Sequence, residues 1–198
     1  MSFDREEARR RAMLVFWKHG YEATSLNDLT SALGVPPSSI YTAFGDKKGL
    51  FLEAVDCYLS GPVTSQSIID GAADGRKAAW GLLQAAAIGF TGEETPAGCL
   101  LANAAISCSD KAQDVKEALA AIRGGIEKHL REKIENSVAA DVLPNGAGAE
   151  ALAAHTMAVI QGLSILARDG ADRAKLLRVA ETAMLVWPKT RLKKQGPT

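Results

Sequence analysis

The chain has 198 residues, 47% of them apolar and 23% charged, enough to bury a substantial core and too hydrophobic for wholesale disorder. Its 23 Lys and Arg balance 23 Asp and Glu, so net charge advertises no polyanionic partner and any nucleic-acid reading needs local evidence. No apolar run reaches the ~18 residues of a bilayer span, and Met1–Arg11 lacks the apolar core of an export signal. Three cysteines without CxxC spacing therefore read as reduced thiols of a cytoplasmic protein.

Helix formers dominate and no strand pattern is present. From Asp4 to His19, Ala8, Ala12, Val15 and Phe16 form one helical stripe that Gly20 stops. Thr24 and Ser25 offer N-cap oxygens to a short helix carrying Leu26, Leu29 and Leu33 inward, ended by Gly34-Val35-Pro36. Pro36 or Pro37 suits the first turn of a third helix through Ile40 and Phe44. Gly45 breaks that helix, and Asp46 caps a fourth with Leu50, Phe51, Ala54, Val55 and Tyr58. Residues 60–75 turn small and polar and read as a joint or a frayed helix end. Five further helices are expected at Lys77–Phe90, Gly98–Ser107, Gln113–Ala139, Glu150–Arg168 and Asp172–Trp187, about nine in all. In the long one, Glu127 and Arg131 stand in the favourable i,i+4 order.

Ala151–Ala167 holds 17 residues without a charge, and a helix apolar all round must be covered all round. Ala154, Ala158 and Gly162 give it a small-residue stripe. With Ile165, Val179 and Ala183 of the last two helices, they are the expected homodimer seam; an intramolecular core helix is the competing reading.

Two short helices around a glycine turn, Ser25–Tyr41, have the spacing of a helix-turn-helix, whose second helix lies in a DNA major groove. The pattern runs Gly20-Tyr21, Thr24-Ser25-Leu26, Leu29, Leu33-Gly34-Val35-Pro36, Ser38-Ser39-Ile40-Tyr41, Phe44, Lys47, Leu50. It closely resembles the DNA-binding domain of the TetR (tetracycline-repressor-like) transcriptional regulators over roughly residues 5–58. Gly98-Cys99-Leu100 with Asn103, then Ala167-Arg168-Asp169-Gly170, is similar more loosely to that family's regulatory half.

The resemblance implies an all-α homodimer with a helix-turn-helix domain at 1–58 and a helical effector-binding and dimerisation domain at 59–198. Its partners would be a palindromic double-stranded operator and a small-molecule effector, with no membrane. Thr24 and Ser25 can meet phosphate at a helix start, and Pro37, Ser38 and Ser39 open the recognition helix. Thr42 can meet a thymine methyl, while Tyr41 and Lys47 match the family's phosphate contacts. Ala43 departs from the pattern, since many members carry a polar or aromatic group there. Phe16, Leu29, Leu33, Val35, Ile40, Phe44 and Phe51 are expected in the core.

An effector cavity would draw on Trp80, Phe90, Cys99, Asn103, Ile106, His155 and Gln161. Cys99, at a helix start, opens a thiol-sensing alternative, and a regulator without an effector is a second. No HExxH, GxSxG, P-loop or paired Cys/His spacing is present, so neither catalysis, a metal nor a cofactor is expected.

Overall fold

The structure, a computed structural model, describes residues 4–106 and 112–190, without the side chains of Ala105 and Ile106. Among these residues it is all α-helical, with ten helices. They are α1 (Arg5–His19), α2 (Leu26–Leu33), α3 (Pro37–Phe44), α4 (Lys47–Leu59), α5 (Ser65–Gly71), α6 (Gly75–Gly89), α7 (Leu100–Ile106), α8 (Gln113–Ala139), α9 (Ala149–Arg168) and α10 (Arg173–Ala183). Two compact units form, one from Met1–Thr64 with Gly92–Ala121, the other from Ser65–Thr91 with Ile122–Thr198.

In the first unit Asp4, Ser25 and Asp46 cap their helices. Asp4 accepts from the amides of Glu6 and Glu7, and Asp46 from that of Gly49 at 2.7 Å. Ser25 and Asp28 form a reciprocal capping box, whose hydrogen bonds from Ser25 hold the Asp28 carboxyl below its usual range. Gly34, in the left-handed region at φ 70°, ends α2, and three residues later Pro37 opens α3. Phe16 meets Phe51 edge-on at 5.0 Å, and Leu29, Ile40 and Leu50 are fully buried around them. Of the expected core only Val35 differs, being half-buried in the turn.

Gly92–Ala121 belongs with this unit because it is tied to it by buried contacts. Trp17 Nε1 donates to the Gly98 carbonyl at 2.9 Å, and the Tyr58 hydroxyl reaches Cys99 Sγ at 3.5 Å. The two rings meet edge-on at 4.8 Å.

In the second unit α6 packs against α5, α9 and α10, and α9 against α10. The Gly75 amide donates to Ser137 Oγ at 2.8 Å. A side chain at Gly75 would lie 2.7 Å from the Cα of Ile134, so this approach of α6 to α8 requires glycine.

Three expectations are corrected. Residues 60–75, expected as a joint or a frayed helix end, contain a helix of their own, α5, with Ile69 buried. The last helix stops at Ala183 and tightens into a 3-10 turn, Met184–Val186. Arg131 turns to Glu135 at 3.5 Å instead of Glu127. Among the described residues α9 alone has the length and apolarity of a bilayer span. It carries Thr156 and Ser164 fully buried on its inner face and packs on α6 and α10, which makes it a domain helix.

Candidate nucleic-acid interface

The third helix is anchored by Ile40 and Phe44, four residues apart and both buried. That register turns the opposite face outward. Pro37, Ser38 and Thr42 are exposed, Ser39 is half-buried, and Tyr41 leaves 52% of its surface in solvent. Exposing so much of an aromatic ring costs hydrophobic burial, whereas an exposed phenol can donate to a phosphate oxygen. Ala43 is half-buried and adds no polar group.

Around this face the remaining predicted residues divide. Ser25 is exposed, but its hydroxyl is engaged in the capping box, donating to Asp28 Oδ2 at 2.6 Å. Lys47 donates to the Glu22 carbonyl at 3.3 Å while its ammonium sits 4.6 Å above the Tyr21 ring. A lysine so placed is oriented in advance and keeps its charge near the start of α4. Thr24 corrects the sequence reading. It is fully buried and its hydroxyl donates to the Gly20 carbonyl at 2.6 Å, closing the end of α1, so it cannot offer that hydroxyl to a phosphate.

The cations of α1 form no free basic patch. Arg5 and Arg9 share Glu53, and Arg10 and Arg11 share Glu7, whose carboxyl they hold down at about 2, Arg10 first. Lys48 pairs with Asp114. Each of these five cations thus has a carboxylate partner within the chain.

The expected effector residues are dispersed. Phe90 is buried and Trp80 half-buried on the second unit, where His155 has its Nδ1 enclosed without a hydrogen-bond partner. Gln161 corrects the reading: it is exposed on the single chain, on the same side of α9 as Ala158 and Ile165, and its amide turns back to the Met157 carbonyl at 3.4 Å. In the first unit Asn103 is buried and donates to the Ala97 carbonyl at 3.4 Å. Cys99 is half-buried beside Tyr58, whose phenol burial keeps protonated. The side chain of Ile106 lies outside the described residues.

On the expected seam, Ala154, Ala158 and Gly162 are exposed along α9, and Ile165 is 51% exposed. Val179 is half-buried. Ala183 is buried within its own chain, on the inner stripe with Leu176 and Ala180, and is corrected out of the seam; Leu185 and Val186, which follow it, are 80% and 63% exposed. Trp17, Tyr58, Lys48 and Asp114 escaped the sequence reading. A buried indole N–H needs an acceptor, which flags Trp17 but does not say which carbonyl answers it.

Residues 9–54 match the family model described as "Bacterial regulatory proteins, tetR family", and residues 80–183 that of "Tetracyclin repressor-like, C-terminal domain". The chain belongs to the TetR family. It is 33% identical to the HTH-type transcriptional repressor ComR of Escherichia coli K12 over 94% of this chain and 90% of that one. Among solved structures, a cysteine-substituted form of the TetR family transcriptional regulator CifR, complexed with 26-bp double-strand operator DNA, superposes with a TM-score of 0.90. It is 39% identical and covers 95% of this chain and 98% of its own. A TetR regulator from Rhodococcus sp. RHA1 is 33% identical with a TM-score of 0.64, covering 94% and 100%.

Proposed function

We propose that this TetR-family protein is a dimeric, sequence-specific DNA-binding repressor of transcription, released from a palindromic operator by a small-molecule effector. Residues 1–58 bind DNA and 59–198 bind the effector and dimerise. The observation that carries the reading is the outward face of α3, where Pro37, Ser38, Tyr41 and Thr42 stand free while Ile40 and Phe44 fix the helix from behind. Ser38, Ser39 and Thr42 meet base edges; Tyr41, Lys47 and the capped start of α2 at Ser25 meet phosphates.

The dimer is supported by α9, of whose apolar window only 33% is buried in the protomer. Ala154, Ala158, Gly162 and Ile165, with Val179, Leu185 and Val186, form the surface that a second copy covers. Two recognition helices then reach half-sites about 34 Å apart. Release requires an effector that binds the two dimer states with different affinities, a coupling of about 1–3 kcal/mol. The protein acts in the cytoplasm and carries no catalysis of its own.

A duplex selected by the wild-type chain from a randomised pool tests this directly. Tyr41→Ala should weaken binding about tenfold or more without lowering the melting temperature, since Tyr41 is largely exposed. Equal binding would refute the assigned face.

A second reading, thiol sensing, is favoured by one observation: Cys99 Sγ is half-buried and accepts the Tyr58 hydroxyl, so a modified sulfur would break a contact to α4. Loss of DNA binding on treatment with an electrophile, absent in Cys99→Ser, would support it.

A further inference from the structure

The segment Gly92–Ala121 grips α4 at both ends. Near its C-terminal end the Tyr58 hydroxyl meets Cys99. Near its N-terminal end Lys48 donates to Asp114, in the first turn of α8. Lys48 and Tyr58 are ten residues apart, about 15 Å along the helix axis. Described parts of this segment therefore touch α4 near both of its ends.

The N-terminal grip lies next to the DNA-contacting parts. Lys48 follows Lys47 directly and precedes Gly49, whose backbone is pressed against the last residue of α3. A side-chain carbon at Gly49 would fall 2.0 Å from the Phe44 carbonyl oxygen. With that little clearance, a displacement of the first turn of α4 is passed to the end of α3 through backbone, not through a flexible side chain. The ion pair itself is solvent-exposed on both sides, 41% and 54%, so it contributes little to global stability.

We infer that Asp114 is a positioning residue for DNA binding: by holding Lys48 it sets the first turn of α4, and through Gly49 and Phe44 the seat of the recognition helix. The inference rests on the regulator reading above. Asp114 stands in the first turn of α8, which begins at Gln113.

The test measures affinity for a duplex selected by the wild-type chain, together with thermal melting. Asp114→Asn preserves size and the local acceptor for the Val115 amide, while removing the charge. An exposed pair is worth up to about fivefold per copy, so two copies give an expected loss of several-fold, up to about 25-fold, in a dimer. Lys48→Met should show the same loss, the double variant D114N/K48M no more than either alone, and the exchange K48D/D114K should restore most of the affinity. Melting temperatures should stay together.

If D114N binds as tightly as wild type or tighter while K48M weakens, Lys48 is a phosphate ligand that Asp114 masks, and the inference is overturned. Additive losses, or no restoration in the exchange, overturn it as well. A wild-type chain that selects no duplex overturns the regulator reading and this inference with it.

Discussion

Gly49→Ala is the substitution at which local propensity and tertiary geometry disagree most sharply. Inside a helix, Gly to Ala should stabilise by about 1 kcal/mol. At Gly49 the added carbon would lie 2.0 Å from the Phe44 carbonyl oxygen and 3.2 Å from its carbon. Real contacts of this kind essentially never fall below 3.0 Å, so α3 and α4 must separate by at least 1.0 Å. The obstacle is backbone and cannot rotate away. Overpacking of this size costs about 1–3 kcal/mol, outweighing the propensity gain. Gly124→Ala in α8 is the control, since nothing lies within 4 Å of the site and the position is exposed. Thermal melting and duplex affinity should be measured for both. Gly49→Ala should melt lower and bind DNA more weakly than melting alone explains, because the seat of α3 has moved; Gly124→Ala should melt slightly higher. If both raise the melting temperature alike, the close approach of α4 to α3 is not as described.

Three further outcomes follow from individual contacts. Trp17→Phe removes the donor to the Gly98 carbonyl and leaves a buried acceptor unmet, which should cost about 1–3 kcal/mol in denaturant unfolding; an unchanged midpoint would show that water replaces the indole. Glu7 is depressed from 4.5 to about 2 by Arg10 and Arg11, so its contribution is present above pH 4.5 and disappears as pH falls toward 2. Melting curves of wild type and Glu7→Gln should therefore coincide near pH 2 and part above pH 4.5, wild type being the more stable; a constant gap across that range would contradict the pairing. Ala158→Glu places a charge on the exposed stripe of α9, and sedimentation should show monomers with an intact fold; a dimer that persists would remove α9 from the seam.

The parts of this fold that could be read from the sequence are those whose cause is local. Ser25 and Asp46 cap the helices they precede, and Gly20, Gly34 and Gly45 stop theirs in positive-φ conformations. The outward face of α3 was legible for the same reason, because Ile40 and Phe44 alone fix its register. What escaped depends on where distant chain arrives. Thr24 looks like a cap in sequence, yet its hydroxyl goes back to Gly20, leaving Ser25 to cap α2. Ala183 fits a small-residue seam by spacing but faces Leu176 and Ala180 on the inner stripe of its own helix. Gly98, Cys99 and Asp114 reach Trp17, Tyr58 and Lys48 across separations of 81, 41 and 66 residues, which no periodicity encodes.

The charge arrangement carries a consequence for how such a molecule holds DNA. Arg5, Arg9, Arg10, Arg11 and Lys48 all spend their charge on carboxylates of the same chain. Few counterions are then released per half-site, so a single domain should bind weakly and with shallow salt dependence. Tight binding must come from two domains held at fixed spacing, where the second contact forms at high effective concentration and avidity exceeds the single-site affinity by about 10²- to 10⁴-fold. In the proposed dimer the exposed stripe of α9 would bear on DNA affinity as directly as α3. Ala158→Glu, far in sequence from the recognition helix, should weaken duplex binding more than Tyr41→Ala, because it removes a whole second foothold while the tyrosine removes one contact from each.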